Sequence, residues 1–282
     1  MSVSIKPRLI LLELTNRCNG RCPYCRHSYI KKFYDMDFDF YKRIVDETEG
    51  YGKIIYPNGC GEPLLYPKIV EAIDYANKKG RKTMFYTNAS MLDRNMSEKL
   101  LEVGLNEIRF SVDGCDKKTF ESLRLGLSWD VVLSNIVYFL NYKKQGGYRC
   151  KTMIRATIAK ENKNRWNDIK DFWRKKGVNK IAPVNEIHIP SPPEFLKPKY
   201  SSLKSFYCKR PIQHLTITAN GKVALCCVDY LGSYVMGDLN KTSVLEAFNS
   251  ETFNQVRRAM KNGKNYPTLC NFCTPKKPSR RS

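Results

Sequence analysis

Apolar runs and helix-spaced apolar positions alternate along this chain from residue 8 to about residue 190. The apolar runs predict strands over 8–14, 53–57, 82–87, 107–112, 151–159 and 180–189. Between them, apolar residues three and four apart predict helices over 41–49, 67–79, 96–103, 129–142 and 166–176. Gly80, Gly104 and Gly177 follow three of these helices, where a left-handed cap favours glycine. Strands alternating with helices of this length are βαβ units with a parallel sheet. Six such strands joined by right-handed crossovers make a barrel or an open fraction of one. The expected fold class is therefore α/β, a partial (β/α)6 TIM-like barrel.

The pattern changes near residue 190. Pro190, Pro192, Pro193 and Pro198 interrupt any regular helix or central strand. Runs over 213–218 and 223–227 then flank Asn220-Gly221, a strong hairpin signal, and helical spacing returns over 242–248 and 251–261. The expected organisation is a barrel domain over 1–190, a linker over 191–207, a small C-terminal β-hairpin/helix domain over 208–275 and a basic disordered tail over 276–282.

Polar chemistry gathers where the predicted strands end, which in parallel barrels is the active-site end. The first connection, 15–37, is long and holds Cys18, Cys22 and Cys25, with Tyr24 before the last. Three close thiolates are a natural start for an iron–sulfur site, whereas structural zinc wants four nearby ligands. The second strand ends in Cys60-Gly61-Glu62-Pro63, the third in Asn88, the fourth in Ser111 and Asp113, and Arg124-Leu125-Gly126 follows. Each of these could equally serve a turn or a cap. Farther on, Cys208, Cys226, Cys270 and Cys273 make a four-thiolate set that suits zinc or an iron cluster. Cys60, Cys115, Cys150 and Cys227 are expected to be small buried residues. Trp129, Trp166 and Trp173 are expected in the packing, and His188 and His214 to be structural.

Composition narrows the classes. The 282 residues suffice for a large core, and no apolar run approaches the ~20 residues of a membrane helix. The first residues lack the apolar region of a secretory signal, so a cytoplasmic protein is expected, and the spacings among its eleven cysteines favour ligand sets over disulfides. The net charge of +22 raises nucleic acid or another acidic partner. Much of that charge falls in lysine pairs at predicted helix ends, where it complements the helix dipole.

The Cys-x3-Cys-x-aromatic-Cys loop resembles the signature of the radical S-adenosylmethionine (SAM) enzymes. That resemblance implies a [4Fe–4S] cluster on Cys18, Cys22 and Cys25 whose open iron binds SAM, with Tyr24 as the motif's aromatic. Gly61-Glu62-Pro63 resembles the family's Gly-Gly-Glu-Pro motif, which binds the SAM amine; Cys60 stands where the family more often has glycine. Asn88, Ser111 and Asp113 would then contact SAM, Ser111 and Asp113 reaching methionine or ribose hydroxyls, and Arg124 would pair with the SAM carboxylate. The second cysteine set resembles the shortened SPASM or "Twitch" module, which implies one auxiliary [4Fe–4S] cluster on Cys208, Cys226, Cys270 and Cys273. The full form needs further cysteines, and the chain ends nine residues after Cys273 with none. The implied activity is cleavage of SAM to a 5′-deoxyadenosyl radical that removes a substrate hydrogen. The expected outcome is net oxidation of a small polar molecule, as in the aminocyclitol dehydrogenases, with a flavodoxin- or ferredoxin-like reductant. The alternatives are modification of a ribosomally made peptide and, from another class, a non-catalytic metal-stapled nucleic-acid-binding protein.

Overall fold

β1 (Leu9–Leu12), β2 (Ile54–Tyr56), β3 (Lys82–Thr87), β4 (Glu107–Ser111), β5 (Lys151–Ile158) and β6 (Lys180–Asn185) pair in parallel in chain order. A computed structural model describes residues 4–185, 200–201, 208–229, 231–262 and 265–272. His188, nearly all of the expected linker, Cys273 and the basic tail lie outside the described residues. Alternation decides which face each residue takes. Ile10, Leu12, Ile55, Phe85, Ile108, Phe110 and Ile154 are fully buried in the core. Met84, Tyr86, Arg109, Ser111 and Arg155 alternate with them, are only partly buried, and face the other way, into the barrel. Pro183, which cannot donate to a ladder, lies on β6 at the sheet edge.

The crossovers are α1 (Phe38–Glu47), α2 (Ile69–Lys78), α3 (Arg94–Glu102), α4 (Lys117–Leu123), α5 (Trp129–Gln145) and α6 (Trp166–Lys175). Helix α4 was not expected. Asp116 caps it by accepting from the Thr119 N–H at 3.0 Å, and Phe120 and Leu123 fasten it to the core. Trp129 and Trp173 are buried as expected, and the Trp173 indole donates to the Gly114 carbonyl at 3.0 Å.

The C-terminal part does not stand apart from the barrel. After the short α7 (Arg210–Gln213), β8 (His214–Ile217) pairs in parallel with β1, matching Leu11 with Thr216. β9 (Lys222–Ala224) and β10 (Val235–Asp238) continue antiparallel, giving a nine-stranded sheet ordered β10-β9-β8-β1-β2-β3-β4-β5-β6. The hairpin strand expected to run to Cys227 therefore stops at Ala224, and Cys226 and Cys227 lie in the turn that follows. Gly221 takes φ +81° at the hairpin tip, as Asn-Gly predicts. Beyond lie α8 (Val244–Phe248), with a Ser243/Glu246 capping box, and α9 (Glu251–Asn262). Separately, β7 (Tyr200–Ser201) pairs antiparallel with β11 (Tyr266–Pro267). Among the described residues no helix is long and apolar enough to cross a membrane.

Candidate functional site

The site is built on a buried ion pair. Asp113, just past β4, is fully buried and takes both Arg124 Nε at 2.6 Å and Nη2 at 3.1 Å. The Tyr24 hydroxyl donates to the same carboxylate, as does the Thr157 N–H at 2.6 Å. Four donors occupy what a carboxylate can accept. Asp113 is therefore not an open acceptor for methionine or ribose hydroxyls, as expected above, but a knot joining the cysteine loop to β4, β5 and α4. Arg124 likewise spends two of its nitrogens on Asp113 before any SAM carboxylate. Its Nη1 still faces the loop, 3.9 Å from Cys22 Sγ, and its guanidinium lies over the Tyr24 ring at 5.6 Å.

The loop itself is folded for sulfur. Gly20 N–H donates to Cys18 Sγ at 3.4 Å, and Cys25 N–H closes a turn on the Cys22 carbonyl at 2.9 Å. Burial pushes Cys18 up to about 11 and raises Cys22. A Cys60 thiol bonded to Cys25, helped by the His27 backbone, the His27 ring and Arg124, holds Cys25 down to about 6. Burial thus opposes negative charge on Cys18 and Cys22, and a cation beside them, which an iron cluster supplies, would offset it. The donor set therefore fits the cluster that the motif implies. It also gives Cys60 a place in the loop that sequence alone did not.

Glu62, at the end of β2, is buried. It accepts from Leu64 N–H at 3.1 Å and the Thr87 hydroxyl at 2.7 Å on one oxygen, and from Asn88 N–H at 2.7 Å on the other. One lone-pair direction remains for a ligand. Gly61 is required by contact: a Cβ there would lie 2.3 Å from the Thr15 carbonyl and 2.7 Å from that of Arg17. Pro63 follows as the first residue of a single 3-10 turn that Glu62 caps. Asn88 ties the end of β3 to the cysteine loop through Asn19 at 2.9 Å and accepts from Ser90. The next residue, Ala89, takes φ +61°, a left-handed strain that sequence did not signal. Ser111 closes β4 opposite Arg155.

Two buried residues that sequence reasoning missed complete the site. Asn162 donates to the Asp113 and Thr157 carbonyls, each at 2.8 Å. Glu13, just after β1, accepts from Cys60 N–H at 2.7 Å and Ala219 N–H at 3.1 Å, so one carboxylate clamps the Gly61-Glu62 loop and the C-terminal hairpin. Gly59 exists because of it: a Cβ there would fall 2.1 Å from Glu13. Burial raises the Glu13 pKa. Glutamine would turn an amide N–H toward one of the two backbone donors. Glu13→Gln is expected to cost about 1–3 kcal/mol of unfolding free energy, read by urea titration; an unchanged midpoint would contradict the clamp.

In the second set, Cys208, Cys226 and Cys270 line one small cavity of about 20 Å³ with Leu225, Met260 and Leu269. Cys227 instead lines a neighbouring cavity of about 40 Å³ with Glu13, Cys60, Thr216 and Asp229, onto which Cys226 also opens. Three thiols lining one largely apolar pocket suit the wider spacing of a cluster, since among the described residues no three ligating side chains could hold a single metal ion, and the expected fourth ligand, Cys273, lies outside the described residues. His214 opens β8 opposite Leu9, and burial lowers its pKa.

Comparison with known proteins places this geometry. Residues 12–173 match the radical SAM superfamily model, and residues 208–274 match the SPASM model, an iron-sulfur cluster-binding domain. The chain belongs to the radical SAM superfamily, in its SPASM/Twitch branch. That membership brings SAM and a [4Fe–4S] cluster as cofactors, and the C-terminal domain brings auxiliary iron–sulfur binding. The chain is 27% identical over 183 residues to the tungsten-containing aldehyde ferredoxin oxidoreductase cofactor-modifying protein of Pyrococcus furiosus, covering 63% of this chain and 51% of that one. It is 30% identical over 112 residues to the PqqA peptide cyclase of Rhodopseudomonas palustris, covering 39% of this chain and 30% of that one. It thus spans about half of the first relative's length and less of the second's. Among solved structures, Streptococcus suis SuiB superposes with TM-score 0.72 at 16% identity, covering 90% of this chain and 68% of that one. BtrN in complex with AdoMet and 2-DOIA superposes with TM-score 0.58 at 17% identity, covering 91% and 88%. At those identities the likeness is one of fold.

Proposed function

We propose that this chain is a radical SAM enzyme, with Cys18, Cys22 and Cys25 holding the SAM-binding cluster and Cys208, Cys226, Cys270 and Cys273 holding one auxiliary cluster. Residues 1–190 would form the catalytic barrel and 208–275 the auxiliary domain. The observation that supports this most is convergence: the three-cysteine loop, Glu62 and the Asp113–Arg124 pair meet at the C-terminal ends of β1 to β4. When bound, the cluster and SAM supply reductive cleavage of the sulfonium to methionine and a 5′-deoxyadenosyl radical.

The chain's own residues orient and exclude. Gly61 lets the loop backbone close onto the Thr15–Arg17 segment, and the remaining acceptor direction of Glu62 is suited to an ammonium. Arg124 Nη1 lies where it can meet a carboxylate or stabilise the Cys22 thiolate. Tyr24, pinned by Asp113, covers Arg124 and keeps water from the pair.

For the substrate we favour a group carried on a peptide. Support comes from the PqqA peptide cyclase relative and from a likeness to SuiB, one of whose structures holds the precursor peptide SuiA. Oxidation of a small polar molecule is the second reading, supported by the likeness to BtrN, whose structure holds AdoMet and 2-DOIA. The test is anaerobic incubation of iron-loaded protein with dithionite and SAM. Release of 5′-deoxyadenosine is expected. Protein that purifies with zinc and, once iron-loaded, releases none would contradict the reading.

A further inference from the structure

The barrel end opposite the cysteines carries a groove of about 530 Å³ at the starts of β5 and β6, lined by Arg109, Lys143, Tyr148, Arg149, Lys151 and Lys180 among others. Its carboxylate, Glu107, is held by Arg109 at 2.6 Å. Lys143, Arg149, Lys151 and Lys180 enter no ion pair among the described residues. Lys143 lies in the last turn of α5, where the helix dipole favours it. The other three have no such reason, and together with Lys143 they give this groove a concentration of positive charge that favours an anion.

The aromatic in this groove is fixed in place. Gly146 leaves room for the Tyr148 ring, since a Cβ there would lie 2.3 Å from it. Tyr142 stacks on the ring with centroids 5.7 Å apart and planes 22° from parallel. The Tyr148 N–H donates to the Lys143 carbonyl at 3.0 Å. An acidic protein segment would use the cations and leave the ring idle. A single nucleic-acid strand uses both, stacking a base on the ring and placing phosphates on the cations. The groove lies apart from the cysteine end, since β4, five residues long, spans roughly 17 Å between the two ends.

We propose that this groove binds single-stranded nucleic acid, with phosphates on Lys143, Arg149, Lys151 and Lys180 and a base on Tyr148. The test is fluorescence anisotropy of a labelled oligouridylate with the full, iron-loaded chain across a salt series. Arg149→Glu, Lys151→Glu and Lys180→Glu together are expected to weaken binding at least tenfold. They should also flatten the log–log salt slope by about two, since each single-strand phosphate contact contributes about 0.7. The same charge change at exposed lysines elsewhere, Lys118→Glu, Lys163→Glu and Lys241→Glu, leaves the slope nearly unchanged. Tyr148→Ala weakens binding roughly tenfold at constant slope. Should the reversal variant fail to fold by circular dichroism, the three glutamine substitutions read the same change of slope. Equal losses from the groove set and the control set would overturn the proposal. Tighter binding of an oligoglutamate than of the oligouridylate would also overturn it, assigning the groove to an acidic protein.

Discussion

Asp113→Ala is expected to lower unfolding free energy by about 3–5 kcal/mol, because it strands a buried guanidinium. Arg124 loses two hydrogen bonds, and Tyr24 and the Thr157 N–H lose their acceptor in the same step. The freed cysteine loop should also cost SAM cleavage about 10²-fold, the scale of a 1 Å misplacement at a reacting centre. Urea titration and a 5′-deoxyadenosine assay read the two effects. Replacing the pair together, Asp113→Leu with Arg124→Met, removes both charges and should recover much of the stability without the cleavage. Recovery of both would mean that the pair serves the fold alone.

Cys226→Ala with Cys270→Ala is expected to separate the two halves of the chemistry. We propose that the auxiliary cluster accepts the electron left on the substrate radical, so its loss abolishes product while 5′-deoxyadenosine still forms. Iron content should fall by about half, since one of two four-iron clusters is removed. The hairpin keeps its place through β8 on β1 and through Glu13, neither of which depends on those thiols. Loss of SAM cleavage to the same degree as product would contradict the separation.

The alternation of strand and helix made the barrel legible, because burying Ile10, Leu12, Ile108 and Ile154 against helices leaves a pattern in any single segment. The three-cysteine spacing was legible for the same reason, since it is local. The contacts that organise the site were not. Tyr24 meets Asp113 across 89 residues, and Glu13 meets Ala219 across 206. Nothing in a local window marks Glu13 as different from a solvated glutamate, although Gly59 opposite it was a trace. Asp113 and Arg124 were recognised as residues of the site but expected to face a ligand, and in the fold they first satisfy each other. Helix α4 escaped because it is seven residues long and runs into the Arg124-Leu125-Gly126 stretch, which reads as a loop motif. The continuity of β8 with β1 was hidden by the proline-rich stretch, which looks like a boundary between separate units.

The central claim is a cluster held by three thiolates with one iron left for SAM. Electron paramagnetic resonance of dithionite-reduced protein, before and after adding SAM, tests it most directly in the Cys226→Ala/Cys270→Ala background, where the second cluster does not contribute. The account predicts a [4Fe–4S] signal that shifts on adding SAM and disappears with Cys18→Ala/Cys22→Ala/Cys25→Ala. A signal unmoved by SAM, or one that survives the loss of those three cysteines, would contradict it.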